Sequence, residues 1–243
     1  MGRFILPVFF VGLAMVAAQL LQMNGAHATS MREPRMPSDP IALYGDDMQF
    51  DVLRDGRKAG WHRVHFQQKG SILTVDSTFH LQIEMLFLTL FRYRYHATGE
   101  WQDGQLNHLT VAVDDDGQLF DLTVERRGSR LTVTSDRGTY SVGMPLYPTN
   151  HWNADVLGAS HVLNTLTGRI NHVEIEPAGR EAVETERGPV MATRYAFSGE
   201  LETEVWYDDQ GRWVKMRFEG RDGSTVEYAC RRCQGGAEIE AQR

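Results

Sequence analysis

Two cysteines three positions apart, Cys230-Arg231-Arg232-Cys233, are the only cysteines in the chain. A C-x-x-C pair in an oxidising compartment can cycle as a dithiol, and flanking arginines lower a thiolate pKa. Redox pairs of that kind open a helix inside a βαβ unit, and none surrounds these residues. Covalent haem needs a histidine after the second cysteine, where Gln234 stands. Zinc needs two further ligands that no paired Cys or His spacing supplies. The pair therefore reads as a disulfide closing off a C-terminal tail beyond the last strand, with thiol redox as the alternative.

His62-x-x-His65 has the look of a metal pair. Residues three apart on a strand face opposite sides, however, so the rings should diverge. His151, Asp155 and His161 lie with Trp152 and Asn153 in an irregular stretch, and such stretches on rigid sheets often carry function. Trp152 reads as a core plug and Asn153 as bonding local backbone. An enzyme centred on His151, Asn153 and Asp155 is the alternative. Asp114-Asp115-Asp116-Gly117 suggests calcium, but Ala112 stands where an EF-hand needs an acid. Turn chemistry accounts for it, and for Asp208-Asp209-Gln210-Gly211. No G-x-S-x-G, H-E-x-x-H or S-x-x-K occurs. No G-x-G-x-x-G occurs either, and we expect no cofactor and no metal.

The elements that must position these residues follow from the wider pattern. The 243 residues are 42% hydrophobic and 23% charged, as in an ordinary globular protein. Met1-Gly2-Arg3, the apolar run Phe4 to Ala18 and the triplet Ala26-His27-Ala28 predict a secretory signal peptide over 1–28, cleaved after Ala28. An uncleaved anchor is the competing reading. Without a nearby Cys or an Arg-Arg pair, a lipid anchor and twin-arginine export are not expected. The expected compartment is periplasmic or extracellular. Cleavage removes one base and no acid, so the formal charge falls from −7 to −8. That balance disfavours nucleic-acid partners. No later run reaches the length of a membrane-spanning helix.

Residues 29–46 read as a flexible leader, 47–229 as one β domain and 230–243 as the tail. Alternation begins at Met48, Phe50 and Val52. It is longest where Phe79, Leu81, Ile83, Met85, Phe87, Phe91, Tyr93 and Tyr95 share one parity against His80, Gln82, Glu84, Arg92, Arg94 and His96. Asp55-Gly56, Lys69-Gly70, Asp103-Gly104, Asp116-Gly117, Gln210-Gly211 and Asp222-Gly223 punctuate the runs as hairpin turns do. Late strands are expected over 170–177, 182–187, 190–198, 201–208, 212–219 and 224–230. Such spacing predicts an all-β fold, a strongly curved antiparallel sheet, half-barrel or barrel-like, of roughly 11–13 strands. Residues 143–168 break the rhythm and read as a loop with short helical turns crossing between two strand groups. Leu86, Leu88 and Leu90 make both faces of their strand apolar. We expect that strand to be buried on both sides beneath 143–168, with ligand binding as the alternative.

The run Leu86 to His96, Glu100 to Leu106, His151-Trp152-Asn153, Leu163 to Gly168 and Trp206 to Trp213 resemble the domain-of-unknown-function family 6134, exported bacterial β-rich proteins. The resemblance covers about residues 48–228. It implies export and a β-rich fold, and it brings no activity. The family usually has Tyr-Trp-Asn in place of His151-Trp152-Asn153 and ends near Tyr228, so the cysteine tail departs from it. The resulting expectation is a non-enzymatic module binding a lipid, another apolar molecule or an envelope protein. Its lining would be Phe79, Leu81, Ile83, Phe87, Phe91, Tyr93 and Tyr95, with His151, Trp152 and Asn153 nearby.

Overall fold

The computed structural model describes residues 39–86 and 88–235. The expected signal peptide, Phe87 and the end of the tail lie outside the described residues. A short helix, α1 (Pro40–Tyr44), precedes β1 (Asp47–Arg54), β2 (Arg57–Lys69), β3 (Ile72–Met85), β4 (Leu88–Gln102) and β5 (Gln105–Asp115). Then come β6 (Gln118–Arg127), β7 (Arg130–Ser135), β8 (Gly138–Gly143), a 3-10 turn (Ala154–Gly158) and β9 (His161–Asn164). The chain continues through β10 (Arg169–Val183), β11 (Val190–Gly199), β12 (Thr203–Asp208), β13 (Trp213–Glu219) and β14 (Thr225–Arg232).

The fourteen strands of the described residues share one sheet, ordered β8-β7-β6-β5-β4-β3-β2-β1-β14-β13-β12-β11-β10-β9. Two antiparallel meanders are thus joined through their outer members, with the first and last strands paired at the centre. The turns explain the meanders. In Asp55-Gly56, Asp103-Gly104 and Asp116-Gly117 both residues take positive φ, which matches the twist of tight hairpins. The apolar parity of each strand then turns inward, as in β5, where Leu106, Leu109, Val111 and Val113 are buried.

The sheet curls so that its two edges approach without forming a ladder. The Tyr140 hydroxyl of β8 donates to the Gly168 carbonyl at 2.9 Å, and the Tyr95 hydroxyl reaches Thr165 Oγ1 at 3.2 Å. The segment after β8 crosses to β9, as the broken rhythm predicts, and adds a four-residue strand inside the stretch expected to be irregular.

Three expectations are corrected. The end of the leader is folded: Asp39 caps α1, and Tyr44 is fully buried, because its hydroxyl has two partners in the core. The strands expected at 170–177 and 182–187 are one strand, β10, which passes an irregularity between Pro177 and Arg180 with Gly179 at φ 119. Cys230 lies within β14, opposite Phe50 of β1, not beyond the last strand.

The block around Leu86 also differs. Leu86, Leu88 and Leu90 are 83%, 66% and 52% exposed. Strand β2 follows β3 only as far as the Gly60–Leu81 pair, and β5 follows β4 only from the Tyr93–Asp115 pair. Residues 82–86 and 88–91 therefore extend past both neighbouring strands, and their ladder partners lie within the same hairpin. A bulge sets Ile83 opposite Phe91 but Glu84 opposite Thr89 and Met85 opposite Leu88. The crossing segment does not cover this ribbon, because its Trp152 packs at the other end, on Phe66 and Trp101.

Candidate functional site

The closed end of the curved sheet is built around His151-Trp152-Asn153. His151 takes φ 49, a conformation that costs a non-glycine residue and needs surrounding structure to hold it. That structure is present. The Trp152 ring meets Trp101 and Phe66 edge-on at 5.2 and 5.6 Å. Tyr44 donates its hydroxyl to the Trp152 carbonyl at 2.9 Å and accepts the Trp213 N–H at 3.0 Å. Tyr207 donates to the His151 carbonyl at 2.8 Å. Asn153 caps the 3-10 turn, its Oδ1 accepting from the Asp155 N–H at 2.9 Å. All three residues are buried, with His151 3% exposed, and burial lowers the His151 pKa to about 4. Trp152 plugs the core and Asn153 bonds local backbone, as the sequence suggests. The neutral His151 ring stands perpendicular to Phe197 at 5.4 Å and is enclosed with the rest of the residue. A substrate would have no access to it in this arrangement.

A second imidazole, His62, escapes a reading based on spacing. It shares parity with Val64 and Phe66, a signal that could have placed it inside. His62 and His65 do diverge: His62 is buried, whereas His65 sits in solvent against Asp47 at 3.1 Å. His62 Nε2 hydrogen-bonds with Ser77 Oγ at 2.8 Å. Burial, followed by the neighbouring His151, lowers its pKa to about 3. This Ser–His contact is sealed among Phe50, Phe79, Trp213 and Tyr228. Both members are buried, and Ser77 satisfies only Nε2, while His62 Nδ1 is enclosed without a hydrogen-bond partner among the described residues.

The apolar stripe runs from this interior toward the end that carries the ribbon. Tyr95, Phe79 and Leu81 are buried, and Ile83, Phe91 and Tyr93 are partly buried against the same core. Phe79 stacks on Tyr228 at 5.8 Å, and Tyr93 meets it edge-on at the same distance. Burial raises the phenol pKa of Tyr95 to about 12, and raises those of Tyr93 and Tyr228 still further. Across the same end, Arg221 on the β13–β14 turn pairs with Asp115 of β5 at 2.5 Å. Farther along the same hairpin Leu88 and Leu90 are exposed. Phe87 is outside the described residues.

The cysteines form a disulfide with Cα atoms 5.9 Å apart, as expected. Glu186, on the β10–β11 turn, accepts the N–H groups of Cys233 and Gln234 at 3.0 and 2.7 Å. Glu186, Cys230 and Cys233 place ligand atoms within 4.8 Å of one another, but oxidised sulfurs are not thiolate ligands. The aspartate clusters are turns. Asp114 accepts from the Gly117 N–H at 2.7 Å, and Asp208 from the Gln210 N–H at 2.9 Å. Asp208 also pairs with Arg212 at 2.6 Å in a buried contact.

These features describe a class of protein: an open, strongly curved β-sheet, barrel-like, plugged at one end and carrying an apolar ribbon at the other. The chain belongs to the family described as Domain of unknown function (DUF6134), whose model matches residues 50–231. The match includes Cys230, so the cysteine strand lies partly within it. Among solved structures the chain is similar to a β-barrel-like protein of Domain of Unknown Function DUF1849 from Brucella abortus. The TM-score is 0.55 at 12% identity, over 77% of this chain and 96% of that one, a likeness of fold. No curated protein matches the chain. Among the described residues, no helix is long and apolar enough to cross a membrane.

Proposed function

We propose that the protein is a non-enzymatic module of the cell envelope that receives an apolar chain, such as the acyl chain of a lipid, at the ribbon end of its sheet. The observation that carries this reading is the gradient from buried Phe79, Leu81 and Tyr95 to exposed Leu88 and Leu90 along one hairpin. An apolar chain laid there would cover leucines now in water and extend the stripe inward past Phe91 and Tyr93. The expected export fits an envelope lipid as the source. A catalytic role for His151 and Asn153 draws no support from geometry, since both are enclosed, and the disulfide is held by Glu186 within folded structure.

Titration of the purified protein with cis-parinaric acid tests the proposal. Saturable, stoichiometric binding is expected. Covering one leucine is worth about 1.5–3 kcal/mol, so Leu88→Asp should weaken it about tenfold or more. No saturable binding, or a Leu88→Asp protein that binds as tightly, rejects the reading. Native mass spectrometry of protein purified gently from its own envelope adds a second readout, a co-purifying apolar molecule.

A further inference from the structure

Trp61 is the exception among the five tryptophans: Trp101, Trp152, Trp206 and Trp213 are buried, whereas Trp61 is 42% exposed on the outer face. Its ring stacks against His80 at 6.1 Å and 19°. The pairing register continues that row across the sheet as Trp61–His80–Arg94–Asp114–Leu119. The neighbouring row is Arg63–Thr78–His96–Ala112–Asp121. The short side chains of Thr78 and Ala112 leave a groove of about 560 Å³ between these rows.

Charges around the groove are unevenly satisfied. Asp114 receives the Gly117 N–H at 2.7 Å and lies 3.9 Å from Arg92, and His96 lies 3.5 Å from Asp76. Arg94 and Asp121, both exposed, have no side-chain partner among the described residues. They stand on either side of Ala112, two strands apart. An exposed indole, a free guanidinium and a free carboxylate thus share one groove, beside two imidazoles.

We infer that this groove is a binding site for a saccharide bearing a carboxylate. The indole offers a flat apolar platform to the C–H face of a sugar ring. The Arg94 guanidinium presents a planar fork of donors that matches a carboxylate. Asp121 accepts hydroxyl protons, and His80 and His96 can each donate or accept. A lipid chain would leave these polar groups unpaired. The site lies on the outer face, separate from the inner apolar stripe, and it stands or falls independently of the acyl-chain reading.

Titration of the full protein with tri-galacturonic acid, read by Trp61 fluorescence and by the indole N–H resonances in an NMR spectrum, tests the inference. The expected result is a saturable change confined to one indole, which disappears in Trp61→Phe. Arg94→Gln should weaken the change at least tenfold, with an unchanged circular dichroism spectrum. Maltotriose, lacking the carboxylate, should bind at least tenfold more weakly than the uronate. No response of Trp61 to the uronate overturns the proposal. So does an equal response to inorganic phosphate at the same concentration, or uronate binding unaffected by Arg94→Gln.

Discussion

At the scale of single residues, one phenol does two jobs. The Tyr44 hydroxyl donates to Trp152 and accepts from Trp213, so it ties α1 to the plug and to β13 at once. Tyr44→Phe keeps the ring on Phe66 but leaves a buried carbonyl and a buried N–H without their partner. Each orphaned group costs about 1–3 kcal/mol, so urea denaturation should show a loss of about 2–6 kcal/mol. Tyr140→Phe, which removes one contact from a half-buried ring, should cost less. The two buried histidines make a different prediction. Their folded pKa values, about 3 and about 4, lie below the ordinary 6.5. As pH falls through 6.5 the unfolded chain takes up protons that the native core refuses. Stability is therefore full above that pH and declines below it, until the folded groups themselves protonate near 4 and 3. Each histidine contributes up to about 1.4 kcal/mol per pH unit within that window. Urea midpoints at pH 7.5 and 5 should show the decline, and His62→Gln should make it shallower. A pH-independent midpoint over that range would remove the basis for two neutral buried imidazoles.

Among the elements, β3 and β4 behave as two different structures along their length. Below Leu81 they are central strands with neighbours on both sides, and above it they are a bare ribbon. Substitutions should sort accordingly. Phe79→Ala opens the aromatic core and should cost about 3–5 kcal/mol. Replacing Leu86, Leu88 and Leu90 together by serine should leave the thermal midpoint nearly unchanged, because little packing is lost. Melting followed by circular dichroism compares the two, and a triple variant that unfolds would show the leucines to be structural. At the other end, the Cys230–Cys233 link and Glu186 hold the end of β14 to the β10–β11 turn. Chain-entropy arguments put the worth of so short a loop near 2 kcal/mol, so Cys230→Ser with Cys233→Ser should destabilise by about that much.

For the whole molecule, the pairing of β1 with β14 is decisive. The first and last strands meet at the centre of the sheet, with Val52 opposite Tyr228, so neither meander can finish its core alone. Ending the chain after Glu219 would strip a central strand and expose two apolar edges, and such a protein should fail to fold cooperatively. Hydrogen exchange should be slowest in β1, β2, β13 and β14 and fastest in the edge strands β8 and β9. Fastest exchange in β1 would argue against the central pairing. Contacts of such sequence separation also imply slow folding, on the millisecond-to-second scale typical of β-rich topologies.

Much of this architecture is written locally. Alternation and Asp-Gly turns are properties of neighbouring residues, and they sufficed to mark strands, most inner faces and an interrupting plug at Trp152, while the lone C-x-x-C pair marked the disulfide. His62 is legible by the same parity, since it alternates in step with buried Val64 and Phe66. What tertiary structure alone decided is who lies beside whom and where neighbours stop. A bulge after Ile83, the end of β2 pairing at Gly60 and the end of β5 at Asp115 turn an apolar strand into an exposed ribbon. The Trp61 groove likewise depends on register, because only lateral pairing brings β2, β4 and β6 side chains into one surface. Periodicity is a local signal carried by the pleat, whereas burial depends on partners distant in the chain.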